Sequence, residues 1–391
     1  MLKAYSRNQV AFLLLSCLVF GLDGMFGVAY RNGWMAAAAT ILTSDDPKIF
    51  VLPGSETPIL TRYTGFQRYD NLHMLAAVIF ANVVDGTAPQ LSLYAIQFAG
   101  QLVPVFVVMM IEGLRVGNEK NILYYSIFWG ISMQMFSYAA TMPIFALIHI
   151  FTSTAATNNR EAIRPRYLAP LDLRVIILAF GMGYFLLCFL FAYPFSSSVV
   201  RQWCGAFWQG FPLYVILVQY ILIKLLSFPA PASTLVKGRS SRTNSKALSK
   251  AYNFSFNIAA AAQLFTLAVL FGVKIFPSLF PRWAPETLTF NNVFNPGPFY
   301  GSQPMKSMAS AMQTWFLYDQ ISGSAAALIW GSYLYLGSRT TKVTWRECIW
   351  LGLDIVRWCA VAGAGGALVR LLGRRDEIVL LHADARRRRN L

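Results

Sequence analysis

The chain has 391 residues, of which 56% are hydrophobic and only 13% charged, and its mean hydropathy is +0.48. A soluble domain carries about 25% charged residues, so the composition excludes an ordinary soluble enzyme and points to an all-α polytopic membrane protein. The formal charge of +16 sits in loops that alternate with apolar segments, which suits contact with anionic membrane lipid and argues against a nucleic-acid partner.

Apolar runs of about 20 residues, the length a bilayer needs, predict a single integral-membrane domain over 1–391 with eight or nine spans. The first, about 9–30, follows a basic start without a convincing cleavage site and reads as a retained helix. It carries Asp23 among Gly21, Gly24 and Gly27, glycines that allow close helix approach. Asp23 is expected to hydrogen-bond among the small residues of its own helix.

Residues 31–71 read as an extramembrane loop holding a short interfacial helix near Trp34–Leu42. The span at 72–93 contains Asn82 and Asp85, and Gly86 and Pro89 kink it, as happens where backbone lines a cavity. Asp85 either caps the broken helix or faces the cavity.

The third span, 94–114, ends in Glu112-Gly113-Leu114-Arg115-Val116-Gly117-Asn118. The fourth, 123–151, holds Gln134, Pro143 and His149, and Arg160, Arg164, Arg166 and Arg174 follow it. Spans at 175–195 and 203–228 precede a Pro-, Ser- and Lys-rich flexible loop at 229–250. A seventh span covers 254–276. Residues 277–304 are too aromatic for a disordered linker and too rich in Pro and Gly for a helix, and read as a lid packed over one membrane face.

The last two spans, 308–337 and 345–372, lead to the basic tail Arg386–Arg389. Nine spans put the termini on opposite sides. The basic loops favour a cytosolic N-terminus while the tail pulls the other way, and eight spans would remove that conflict.

Five acids fall inside these spans. Asp354 has Arg357 three residues on, and Glu112 has Arg115 at the same spacing, which puts each pair on one helical face. The first reads as an internal ion pair. Glu112 stands open between a salt-bridged boundary residue and an active-site group. Asp319 differs from both: it sits in Trp315-Phe316-Leu317-Tyr318-Asp319-Gln320 with no basic residue within a helical turn.

An unpaired carboxylate at the hydrocarbon edge is costly, so it is protonated, paired across helices or functional. A weakly hydrated acid beside Trp315, Phe316 and Tyr318 is what protonating an alkene or epoxide and stabilising the resulting cation requires. The nine-span arrangement puts the end of the third span and the start of the eighth on one side, so Glu112 and Asp319 are expected in one leaflet as an acid and its partner.

The three histidines, His73, His149 and His382, form no HExxH or Cys/His cluster, so no metal site is expected. The five cysteines are scattered and form no CxxC pair. Asp45-Asp46-Pro47-Lys48-Ile49 lacks the last acid of a DDxxD diphosphate site, and NDxxD, DxDD, Walker A and dinucleotide fingerprints are absent. His149 on its apolar face reads as a satisfied helix-contact histidine ahead of an acyltransferase base.

Several of these stretches resemble one family. Asp85-Gly86-Thr87-Ala88-Pro89, Phe98-Ala99-Gly100-Gln101-Leu102, Ile111-Glu112-Gly113-Leu114-Arg115 with Gly117-Asn118, Ala140-Thr141-Met142-Pro143 through His149-Ile150-Phe151-Thr152-Ser153, and Phe316-Leu317-Tyr318-Asp319 look like the fungal integral-membrane terpene cyclases of meroterpenoid pathways, of the ascofuranone/macrophorin type. The similarity covers roughly residues 72–335. It implies metal- and cofactor-free cyclisation of a prenylated, often epoxidised, small molecule by membrane acids.

Carried over residue by residue, Glu112 and Asp319 are the acid candidates, with Asp85 and Asn118 as polar support. The substrate is expected to be farnesyl-type and the location the endoplasmic reticulum membrane. Two other readings stay open from the residues: a proton-coupled small-molecule transporter or accessory membrane protein, and a membrane acyltransferase using His149.

Overall fold

A computed structural model describes residues 6–44, 46–157, 160–163, 169–227, 241–300, 303–339 and 343–389, without the side chains of 47, 160, 169–172, 227, 241–245 and 381–389. Asp45, Arg164, Arg166, most of the loop at 229–250, and the side chains of His382 and the basic tail therefore lie outside it. Regular structure among the described residues is helical apart from one isolated bridge between Val51 and Pro58.

The longer helices are α1 (Arg7–Arg31), α2 (Trp34–Thr43), α3 (Gln67–Phe80), α4 (Pro89–Gly113), α5 (Ser126–Phe136), α6 (Tyr138–Thr152), α7 (Leu173–Ala192), α8 (Ser198–Gln209), α9 (Phe211–Ser227), α10 (Ser241–Ile275), α11 (Met308–Gly337) and α12 (Trp345–Arg389). Five of them, α1, α4, α7, α10 and α12, contain stretches long and apolar enough to cross a membrane, and α8 with α9 makes a sixth if that pair, bent by 67°, is one span. Helix α11 has the length but carries Gln313, Asp319, Gln320, Ser322 and Ser324. Eight or nine spans are not found among the described residues.

Local chemistry explains where the boundaries differ from expectation. The span expected at 72–93 stops at Phe80. Asp85 accepts from the Thr87 amide at 2.9 Å and its hydroxyl at 2.7 Å, Gly86 has φ +82°, and Pro89 starts α4 where an amide hydrogen is not needed. Residues through Gly113 are then one helix, not the second half of a pair broken at 93. Expected helix 345–372 runs on to Arg389, and 254–276 begins at Ser241, so residues 241–250 are helix and not loop. The short helix near Trp34 is found, with Trp34, Ala38 and Ile41 buried.

Two segments turn back on themselves. Ser137, the one non-glycine residue with positive φ among those described (+87°), separates α5 from α6, and Trp129 meets Phe145 at 5.1 Å across the turn. In α12, Gly363 has φ +65° and ψ 179°. Asp354 would lie about 30 Å from Arg374 in a straight helix, yet the two form an ion pair, and Arg370 stacks over Trp358 at 4.7 Å. Both segments are therefore helical hairpins. The second is held at its apex by Gln101 of α4, whose Oε1 accepts from the Gly365 amide at 3.0 Å. A Cβ at Gly363 would collide with that side chain.

The bundle has two ends. Arg7 stacks over Phe151 at one, here the proximal end, where Glu112, Tyr252, Arg375 and the close of α11 also lie. At the distal end the Asn32 carbonyl accepts from the Met305 amide at 3.0 Å. The glycines of α1 allow the close approach expected of them: Gly21 and Gly24 leave room for Ser322, Ala139 and Tyr318. Asp23, however, pairs with Arg31 at 2.8 Å instead of bonding among its small neighbours, and Arg31 also donates to the Phe299 carbonyl at 3.0 Å. A half-buried guanidinium about two turns along the same helix offers that acid more than a glycine stripe does.

Candidate active site

Helix α11 starts at Ser307, a capping residue that accepts from the Ser310 amide, and its interior places Asp319 three turns in. Asp319 is 7% exposed. Its Oδ1 accepts from the Ala139 amide at 2.6 Å, and the Ser137 hydroxyl and Tyr138 amide also bond to it. The carboxyl thus sits on the N-terminus of α6, where unpaired amides and the helix dipole favour a negative charge. No salt bridge reaches it among the described residues.

Rings from other helices also stand near this acid. Tyr94 and Tyr138 lie close enough to feel its charge. Phe98 bridges them, with centroids 5.9 Å from Tyr94 and 6.4 Å from Tyr138, and all three are buried. Tyr94 is fixed by donating to the Phe316 carbonyl at 2.8 Å.

Trp315, Phe316 and Tyr318 point three ways, as successive helical positions must. Trp315 meets Phe26 and Trp34, Phe316 stacks on Phe80 at 5.5 Å, and Tyr318 packs on Phe20 and Phe299. The Tyr94–Phe98 pair has a sequence signal, i and i+4 on one helical face beside Gln97 and Gln101, but nothing local ties that face to Asp319.

Glu112 lies elsewhere. His149, one of its partners, is ten residues along α6 from Ala139, about 15 Å at 1.5 Å per residue. Glu112 and Asp319 therefore do not share a depth or a site, contrary to the expectation from nine spans. The expectation failed because the α5–α6 hairpin and the break at 81–88 change how the segments stack.

Around Glu112 the structure builds a closed polar network. Arg115 and Arg375 donate to its Oε1 at 3.1 and 2.7 Å, and His149 Nε2 meets its Oε2 at 3.0 Å. The Trp330 indole, a donor only, bonds His149 Nδ1 at 3.2 Å, so Nε2 carries the proton toward Glu112. Arg115 also reaches Asp376 at 2.6 Å, and Tyr252 donates to the same carboxylate at 2.8 Å.

Glu112, Arg115, His149 and Arg375 are all 0% exposed. Two acids and two guanidiniums balance. Asn118 is buried beside this network and donates to the Glu112 carbonyl at 2.8 Å. Arg375 was invisible as a partner because 263 residues separate it from Glu112.

Asp85 is a third location, half-buried at the rim of a cavity that also meets His73, Phe80, Phe191 and Arg201. Asp354 pairs with Arg357 at 2.6 Å as its spacing predicts, and with Arg374 as well. The segment 277–300 covers the distal end: Gln313 donates to the Asn292 and Val293 carbonyls at 2.5 and 3.2 Å, Tyr318 donates to the Gly297 carbonyl at 3.0 Å, and Phe299 stacks on Phe20 at 4.8 Å. No cluster of three or more His, Cys, Asp or Glu side chains suited to a metal occurs among the described residues.

No solved structure resembles the chain closely enough to match. Among curated proteins, it is 27% identical to the terpene cyclase ascI of Acremonium egyptiacum over 94% of this chain and 91% of that one. It is likewise 27% identical to the terpene cyclase ctvD of Aspergillus terreus over 93% and 97% of the two chains, and 23% identical to the terpene cyclase penA of Penicillium crustosum over 81% and 82%. The CtvD domain model matches residues 10–380. With nearly its whole length matched, the chain belongs to the CtvD domain family.

Proposed function

We propose that the protein is an integral-membrane terpene cyclase in which Asp319 protonates a prenylated substrate. The observation that carries this reading is a buried carboxyl with no cation beside it among the described residues and a helix N-terminus behind it. Burial favours the neutral acid before reaction. The α6 amides and the Ser137 hydroxyl hold the charge left when the proton departs.

With an epoxide, the Asp319 proton bonds to the ring oxygen as the C–O bond breaks, and a chain alkene supplies the electron pair that closes the carbon ring. The cation formed faces the Tyr94, Phe98 and Tyr138 rings, and losing one proton completes an isomer of unchanged mass. The relatives named terpene cyclases support the reaction class. Glu112, neutralised by two guanidiniums, is assigned to holding α4, α6, α11 and α12 together. His149 has both nitrogens engaged and no exposed surface, so the acyltransferase reading loses its base.

In the membrane we propose six crossings, α1, α4, α7, α8 with α9, α10 and α11, with the α5–α6 and α12 hairpins entering from the proximal side. Both termini then share one side. Cysteine labelling that finds residues near Arg7 and Arg389 on opposite sides rejects this topology. The endoplasmic reticulum is the proposed compartment on the family resemblance, and cofractionation tests it.

The chemical test uses membranes bearing the protein and a farnesylated epoxide. The wild type returns an isomer of identical mass, and Asp319→Asn loses about 10²–10⁴ of the rate while folding normally. Full turnover by well-folded Asp319→Asn rejects the mechanism. Substrate accumulation in sealed vesicles without isomerisation would replace the cyclase with a transporter.

A further inference from the structure

The α12 hairpin is charged differently on its two sides. Toward Glu112, Arg375 and Asp376 belong to the balanced network described above. At its outer side, Arg357 and Arg374 share the single carboxylate of Asp354, and Arg370 has no acidic partner among the described residues. Three guanidiniums against one carboxylate leave two positive charges. We propose that this side is a binding site for one anionic phospholipid, whose phosphate sits between Arg357 and Arg370 at the edge of the Trp358 indole. The inference goes beyond the cyclase reading and rests on the placement of the α12 hairpin in the bilayer.

Two donors show where an acceptor belongs. The Arg370 guanidinium stacks on the Phe256 ring at 4.2 Å and on Trp358 at 4.7 Å, and Arg357 lies 4.7 Å from the same Trp358 ring. Stacking occupies the faces of a guanidinium and leaves its in-plane N–H groups to be satisfied. Arg370 Nε and Trp358 Nε1 are both buried and both without a hydrogen-bond partner.

Buried polar atoms are nearly always paired, and these two can only donate. A ligand that satisfies them must accept, and beside two guanidiniums it is best negatively charged. No more than twice 4.7 Å separates the Arg357 and Arg370 guanidinium carbons. Two N–H···O contacts to one phosphate cover that span.

Depth selects a lipid over a soluble anion. The hairpin apex is bonded to Gln101, the midpoint of α4, and so lies near the middle of the bundle. Arg370 is five residues from Gly365 and Arg374 nine, about 8 and 14 Å at 1.5 Å per residue. Half of the hydrocarbon core is about 15 Å. An uncompensated guanidinium at that depth is costly, and it reaches for a phosphate at the interface or draws one in.

The surface beside these arginines is apolar. Leu353, Val356 and Val361 are 54%, 66% and 37% exposed. With its phosphate on the arginines, a lipid lays its acyl chains over Val356 and Val361 toward the apex.

The test uses purified full-length protein in detergent, with phosphatidylglycerol, phosphatidylcholine and glycerol 3-phosphate as probes. Native mass spectrometry counts bound lipid, and the thermal midpoint reads its effect. Both lipids carry a phosphate, but choline brings a cation to a site that is already positive. Phosphatidylglycerol should therefore bind about tenfold or more tighter and raise the midpoint, and glycerol 3-phosphate should not displace it.

Arg370→Met should remove most of that preference, and Arg370→Lys should restore part of it. Trp358→Phe keeps the ring, loses the N–H and should weaken the preference severalfold. Arg7→Gln removes an exposed cation from another helix and should leave it unchanged. Lipid-free midpoints confirm that each variant folds.

A wild-type preference in folded Arg370→Met and Trp358→Phe overturns the site, as does equal retention of the two lipids. Displacement by glycerol 3-phosphate at similar affinity overturns the lipid and assigns the donors to a soluble phosphate. In bilayer nanodiscs, Val356→Cys should resist a membrane-impermeant maleimide. Labelling there rejects the placement of the hairpin and the site with it, whereas protection without any lipid preference rejects the site alone.

Discussion

Two buried acids in this bundle show how environment divides their work. Asp319 meets amides and a hydroxyl at a helix N-terminus, with aromatic rings nearby and no cation among the described residues. Glu112 meets two guanidiniums and an imidazole, and Asp376 completes an electrically balanced cluster. A proton on Asp319 can leave because fixed dipoles receive the charge. A proton on Glu112 would unpair two buried cations, which costs far more. Burial alone therefore does not mark a catalytic acid; what faces the carboxyl decides.

The sharpest separation comes from amide replacements at both sites. Asp319→Asn keeps an acceptor for the Ala139 amide but has no proton to give, so activity should fall about 10²–10⁴-fold with an unchanged thermal midpoint in detergent. Glu112→Gln should do the opposite, costing about 3–5 kcal/mol of stability by leaving Arg115 and Arg375 with one carboxylate between them. Its residual activity should track the folded fraction. Wild-type stability with lost turnover in Glu112→Gln would move Glu112 into the chemistry and end the contrast.

A smaller effect is expected where the second hairpin carries Arg375 to Glu112. Gly363→Ala forces a side chain into a left-handed backbone position and against Gln101, costing about 1–3 kcal/mol. Denaturation should show the loss, and turnover by the folded protein should remain. The smallest effect belongs to Asp354→Asn. Its partners Arg357 and Arg374 are 60% and 39% exposed at their side chains, so the change should cost about 1 kcal/mol or less. A larger loss would mean that the pairing across the hairpin, and not the Gln101 anchor, holds the two arms together.

Much of the local structure was legible from residue order. Apolar runs marked most of the long helices, the run from residue 308 marked the start of α11, and the i,i+3 spacing of Asp354 and Arg357 gave their ion pair. The same reading isolated Asp319, because the lack of a basic neighbour within a turn is a local property. The short helix at Trp34 and the break around Gly86 and Pro89 were also visible as turn and capping chemistry.

Other features depended on direction, which hydropathy does not encode. An apolar run of given length reads alike whether it crosses or turns back, so the hairpins at Ser137 and Gly363 were missed, the first without even a glycine to mark it. Once those turns were misplaced, Glu112 and Asp319 were put at one depth. The pairing of Glu112 with Arg375, the Tyr94–Phe98–Tyr138 wall, and the stacking of Arg370 on Phe256 all join residues distant in sequence. Sequence alone determined which side chains prefer to leave water and which local turns are allowed. Only packing decided which of them meet, because the energy of a buried charge depends on the partner brought to it through space.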